Sequence, residues 1–237
     1  MYHYLLALLY LSVSKAADPW PCSRTEAIEA FKRKSQVNRW PDLSPNPYTN
    51  QTAESEKEIS ETLKNKIQVC AIRYDNDQRF KYELRDFQDI EAAESAGFIV
   101  THQGKCGACS TLPDLAVYLE KNLTDPVRKC AIRSIISERW ARSCIMDVGF
   151  SEQCAQIWLD NAVNTRKECF RVCIWAWITG APNNKPDGSL NDCLQCDEDK
   201  SGPIFKYFSG RTRRNSGIES AIKRPGEQVY KMNHCYF

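Results

Sequence analysis

The stretch GFIVTHQGKCGACSTLPDLAVYLEKN, Gly97 to Asn122, reads as a strand, a polar loop and a helix. Phe98, Ile99 and Val100 form a compact apolar run of strand-forming residues, and Leu112, Leu115, Ala116 and Leu119 recur at helical spacing. Thr111 and Asp114 have capping-box spacing, and Pro113 is tolerated in a first helical turn. Between strand and helix lie His102, Gln103, Cys106, Cys109 and Ser110, where the free N–H groups of a helix N-terminus would stabilise a thiolate or an oxyanion.

Upstream of this stretch, Val69 to Ile72 reads as a strand and Asp75-Asn76-Asp77 as a turn. Phe80, Tyr82 and Leu84 alternate as in a half-buried second strand. Ile90 to Ala96 is a short helix, so a small sheet of about three strands is expected near residues 67–101. Further back, Ser23 to Lys34 is a helix with Ser23 and Glu26 at capping-box spacing, and the proline-rich NRWPDLSPNPYTNQT (38–52) is a linker. Ala53 to Lys66 has helical propensity, with Ile59 and Leu63 expected to face inward.

Downstream the chain turns helical. Asp125-Pro126 starts a helix expected to run to about Val148, with Ile132, Ile135, Ile136 and Trp140 on one face and Cys130 and Cys144 sharing a face two heptads apart. Ser151 opens a longer helix ending at Gly180, whose last part, FRVCIWAWI, is apolar almost all round and is expected to be buried. The fold class expected is α+β, predominantly helical and disulfide-rich. Its organisation is a signal peptide over 1–16, a helix and linker over 17–52, a main core over 53–180, and a loop-rich, cysteine-containing region over 181–237 packed on that core.

The opening MYHYLLALLYLSVSKAA has the apolar core and small residues of a secretory signal, and no later stretch is long and charge-free enough to span a bilayer. All 12 cysteines lie beyond it, and an even count in an oxidising compartment reads as a disulfide framework. The sequons at Asn50 and Asn122 fall in expected loops. These features place the chain outside the cell or in the secretory lumen. Its net charge of +2 argues against a nucleic-acid partner recruited by bulk electrostatics, and composition identifies no other partner.

The segment Gln103-Gly104-Lys105-Cys106-Gly107-Ala108-Cys109 resembles the nucleophile motif of papain-like cysteine proteases. The resemblance implies Cys109 as nucleophile, Gln103 as oxyanion donor and Cys106 as a half-cystine, with a histidine base downstream. His234 is the later histidine, and His102 adjoins the motif; either imidazole could take a thiol proton. This reading gives a secreted hydrolase or acyltransferase acting on peptide or amide bonds. The alternative is a non-catalytic extracellular binding protein with every cysteine bridged, Cys109 joining Cys22, Cys70, Cys106, Cys130, Cys144, Cys154, Cys169, Cys173, Cys193, Cys196 and Cys235. A third reading takes Cys106 and Cys109 as a redox dithiol of thioredoxin type, in which strand, Cys-Gly-x-Cys and helix follow one another.

Three further patterns carry possible chemistry. Cys169 and Cys173 with Cys193 and Cys196 have four-thiolate zinc spacing. Asp197, Asp199 and Ser201 match the start of an EF-hand calcium loop, although Phe208 occupies the position of its bidentate glutamate; the expectation is no cofactor, with calcium as the alternative. Arg211-Thr212-Arg213-Arg214 has the form that secretory processing proteases recognise, with a solvated basic segment as the alternative.

Overall fold

The computed structural model describes residues 21–38, 43, 45–49 and 51–237, so the signal at 1–16 and the Asn50 sequon lie outside the described residues. Its elements in chain order begin with α1 (Arg24–Lys32), β1 (Ser35–Gln36), α2 (Ala53–Lys64), β2 (Val69–Tyr74), β3 (Lys81–Phe87), α3 (Ile90–Ser95) and β4 (Ile99–Gln103). The helices α4 (Leu112–Glu120), α5 (Thr124–Arg133), α6 (Glu138–Val148), α7 (Glu152–Ile178), α8 (Asp192–Lys200) and α9 (Gly202–Ser209) follow. The fold is α+β, predominantly helical and disulfide-rich.

The sheet has four strands in the order β1-β3-β2-β4. The central strand β2 pairs antiparallel with both neighbours, and the two-residue β1 adds a parallel edge to β3. Alternation sorts the side chains into two faces. Cys70, Ile72, Tyr82 and Leu84 join the main core with Phe31 of α1 and most of α4, while Val69 and Ala71 pack with Ala93 and Phe98 in a smaller cluster behind the sheet. Helix α4 is buried along nearly its whole length, with Thr111 capping its first turn and Leu112, Leu115, Ala116, Val117, Tyr118 and Leu119 inside.

Twelve cysteines form six bridges: Cys22–Cys235, Cys70–Cys106, Cys109–Cys154, Cys130–Cys144, Cys169–Cys196 and Cys173–Cys193. The last two clamp α8 to the second half of α7. Cys169 and Cys173 stand one helical turn apart, so both face α8, and the four thiols read as a zinc set are consumed in those bridges.

Four expectations change. The helix expected over 125–148 is two, α5 and α6. The Ser134 hydroxyl donates back to the Ala131 carbonyl and Ser137 caps α6, so two serines end one helix and start the next. Cys130–Cys144 therefore closes a helical hairpin rather than lying on one face. The region from Ala181 onward contains α8 and α9 as well as loops. Leu63 is exposed, while Ile59 is buried. The FRVCIWAWI segment is not core: Phe170, Val172, Ile174, Trp175, Trp177 and Ile178 are all exposed, because α8, bridged to Cys169 and Cys173, covers one side of this part of α7.

Candidate functional site

The loop between β4 and α4 is held on every side. Cys106 is bonded to Cys70 on β2, and Cys109 to Cys154 in the first turn of α7. The backbone donors from Cys106 to Ser110 are all occupied. Cys106 N–H donates to an Asp86 carboxylate oxygen, Gly107 N–H to Ser110 Oγ, Ala108 N–H to the Phe208 carbonyl, Cys109 N–H to the Ser209 carbonyl and Ser110 N–H to the Gly107 carbonyl. Gly107 permits this docking, since a Cβ there would lie 2.5 Å from the backbone of Phe208 and Gly210. Gly210, at φ +68°, is its counterpart: a Cβ there would lie 2.3 Å from Gly107 N.

This geometry overturns the nucleophile reading of Cys109. The sulfur is in a bridge, the residue is fully buried, no free cysteine exists, and the N–H groups that would form an oxyanion hole are bonded to Phe208 and Ser209. The dithiol reading of Cys106 and Cys109 fails for the same reason, each being bonded to a distant cysteine. Gln103 closes β4, and its Oε1, an acceptor, is buried without a protein partner.

Neither histidine is placed as a base. His102 is buried, its Nδ1–H donating to the Gln103 carbonyl (2.9 Å) and its Nε2 accepting from Ser110 (2.7 Å). Burial, then the Arg211 charge, push its pKa well below the usual imidazole value. His234 is buried between Tyr236 and the Ser216 carbonyl, and burial followed by the Arg211 charge lowers it to about 3.

What joins these residues is Arg211, which sequence reasoning placed in a basic segment. It is completely buried and makes five hydrogen bonds, to the carbonyls of Thr101, Cys109 and Ser110 and to the hydroxyls of Thr101 and Ser216. The Thr101 hydroxyl continues to Tyr236 (2.7 Å) and Tyr236 to His234 (2.9 Å). Burial lowers the pKa of Arg211 while the nearby phenols and Asp114 oppose that shift. The network is a structural keystone tying the C-terminal segment to β4 and the motif loop. Arg213 donates to the Lys121 and Glu219 carbonyls and Arg214 pairs with Glu198, so the RTRR run is folded in rather than displayed.

The carboxylates considered for calcium are not gathered. Asp197 and Asp199 lie in α8, two residues apart on different sides of the helix. Asp197 accepts from Asn161 and Thr165, Asp199 from Gln195, and the Ser201 hydroxyl from Asn164. Among the described residues the one cluster with metal-ligand geometry is Cys70, Asp86 and Cys106, two of whose members are bridged to each other.

The outer face of the same loop lines a cleft of about 260 Å³. Lys66, Lys105, Lys206 and Arg214 contribute four cations and no carboxylate lines the wall, while Asn65, Gln103, Asn215, Gln228, Tyr207 and Tyr230 supply amides and phenols. The Lys105 ammonium lies 4.9 Å from the Tyr207 ring centre and donates to its hydroxyl (3.3 Å). Behind the wall, Glu198 pairs with Lys206, Arg214 and Arg224. Burial alone would raise the pKa of Glu198, but these three cations outweigh it and hold the group ionised.

Residues 138–232 match the model of a family described as Family of unknown function (DUF8771). That span runs from α6 through α9 and the following tail, and so includes both α7–α8 clamps and the Lys206, Arg214, Gln228 and Tyr230 side of the cleft. No curated protein and no solved structure matches the chain.

Proposed function

We propose that this protein is a non-catalytic, disulfide-stabilised extracellular binding protein that takes a small anionic ligand in the cleft above the β4–α4 loop. The observation that carries the reading is the cleft wall itself: four cations, Lys206 and Arg214 being paired with Glu198 behind it and Lys66 and Lys105 not, and no lining carboxylate. Six bridges suit an oxidising compartment, and none of the described helices is long and apolar enough to cross a membrane. The cations supply attraction, and the amides and phenols supply directed hydrogen bonds. A sugar ring bearing sulfate, phosphate or carboxylate meets both requirements. N-glycosylation at Asn122, which is exposed just after α4, belongs to the same proposal.

Titration calorimetry with a sulfated disaccharide, its unsulfated parent and inorganic sulfate tests this. The sulfated sugar should bind, the neutral parent should bind at least tenfold more weakly, and Lys66→Gln with Lys105→Gln should remove most of the affinity. Equal binding of the neutral sugar, or unchanged affinity in the double variant, would refute the assignment.

A further inference from the structure

The projecting end of α7 is the second unusual surface of the molecule. Trp175, Trp177 and Ile178 there, with Ile135, Ile136 and Trp140 on the α5–α6 hairpin, are each between 62% and 79% exposed. The hairpin lies alongside α7: the Ser134 hydroxyl accepts from Arg166 of α7 (2.8 Å), and Arg128 of α5 donates to Asn183 beyond the end of α7 (3.2 Å). Apolar exposure on this scale marks an interaction surface.

Charge identifies the partner. The hairpin and the second half of α7, residues 124–148 and 166–178, carry eight cations (Arg128, Lys129, Arg133, Arg139, Arg142, Arg166, Lys167 and Arg171) against four carboxylates (Asp125, Glu138, Asp147 and Glu168), whereas the whole chain has 32 against 30; Arg128, Arg142 and Lys167 are paired with Asp125, Glu152 and Glu168. Arg133, Arg139 and Arg171 are exposed and make no ion pair among the described residues. A second copy of the chain would bring two such cationic rims together, so self-association is opposed. The apolar residues also encircle the helix end instead of forming one stripe, since from Arg171 to Gly180 only Cys173 and Ala176 are partly covered. A tip exposed on every side but the one that faces α8 suits a fluid medium better than a preformed groove. Tryptophans ringed by Lys and Arg are the side chains that settle at a lipid–water boundary.

We infer that the α7 tip and the α5–α6 hairpin form a docking surface for a membrane bearing anionic headgroups, with the tryptophans entering the interfacial layer and the basic rim contacting lipid charge. The surface is separate from the cleft, so either assignment stands without the other.

The test is vesicle co-flotation with the full chain made through a secretory pathway. It uses vesicles of equimolar phosphatidylcholine and phosphatidylserine beside vesicles of phosphatidylcholine alone, with tryptophan emission recorded in parallel. Binding to the anionic vesicles, a blue shift, and weakening by added salt are expected. The Trp175→Ser/Trp177→Ser variant should bind at least tenfold less with unchanged circular dichroism, and Arg133→Glu/Arg171→Glu should abolish the preference for anionic lipid. Absence of binding, equal binding to neutral vesicles, full binding by the tryptophan variant, or a stable dimer that conceals these tryptophans would each overturn the inference.

Discussion

Replacing Arg211 by Met tests whether the buried network is the keystone that its geometry describes. Met has similar length and keeps the packing of the stem, but it removes five hydrogen bonds at once. Three carbonyls and two hydroxyls lose a donor in a region with no solvent access. At about 1 kcal/mol net for each bond the loss is about 5 kcal/mol. The variant no longer buries a guanidinium, which returns part of that sum, so the expected destabilisation is about 3–5 kcal/mol. Arg211→Lys keeps the charge but lacks the planar fork, and it should recover less than half of the loss. The assay is guanidinium chloride unfolding of the oxidised protein at neutral pH, comparing midpoints at constant slope. A loss below about 1 kcal/mol for the Met variant would show that the network is incidental to folding.

Both buried histidines have folded pKa values below the unfolded value of about 6.5, so their contribution is intact above that pH and is lost as pH falls toward about 3 for His234. Asp160, raised by burial to about 6, acts oppositely over part of the range; comparing wild type with His234→Gln cancels it. The wild-type stability should fall more steeply, by about 1.4 kcal/mol per pH unit between about pH 6 and 4, and parallel curves would sink the assignment. Gly107→Ala and Gly210→Ala should each cost about 3 kcal/mol or block secretion, whereas Gly226→Ala, with nothing within 4 Å, should be neutral; equal effects in thermal unfolding would contradict the close packing. Removing Cys22–Cys235, which closes a 213-residue separation, should destabilise by about 5 kcal/mol against about 3 for Cys130–Cys144 at 14 residues. Denaturant midpoints of the two double-serine variants, if reversed in order, would count against loop entropy as the main effect.

Elements carrying local signals were legible from the chain. The caps at Ser23, Thr111 and Ser151 hold the first turns of α1, α4 and α7, and the alternation of Tyr82 and Leu84 places them on the core face of β3. Features set by distant pairing were not. The break between α5 and α6 depends on two serines that a helical pattern tolerates, and an apolar helix end reads as core unless one knows what packs against it. Arg211 gave no signal at all: its partners Thr101, Cys109 and Ser110 lie about a hundred residues away. The cleft was equally hidden, because Lys66, Lys105, Lys206 and Arg214 come together only through the fold.

The motif loop shows why its sequence pointed toward thiol chemistry. A cysteine, a glycine and a second cysteine before a helix are what a nucleophile loop requires, and also what a loop requires when it must be bridged to two elements and pressed against a third backbone. The occupied N–H groups distinguish the two cases. A catalytic loop leaves them directed at a substrate atom, whereas here Phe208 and Ser209 accept from Ala108 and Cys109. That choice fixes which residues of the loop remain for function. With Cys106 and Cys109 turned inward to Cys70 and Cys154, Gln103, Gly104 and Lys105 form the face that borders the cleft. The same few residues therefore close the core on one side and build the proposed anion site on the other. Substitutions at Gly107 or Cys109 should disturb binding only by disturbing the fold, while Lys105 can be changed for binding alone.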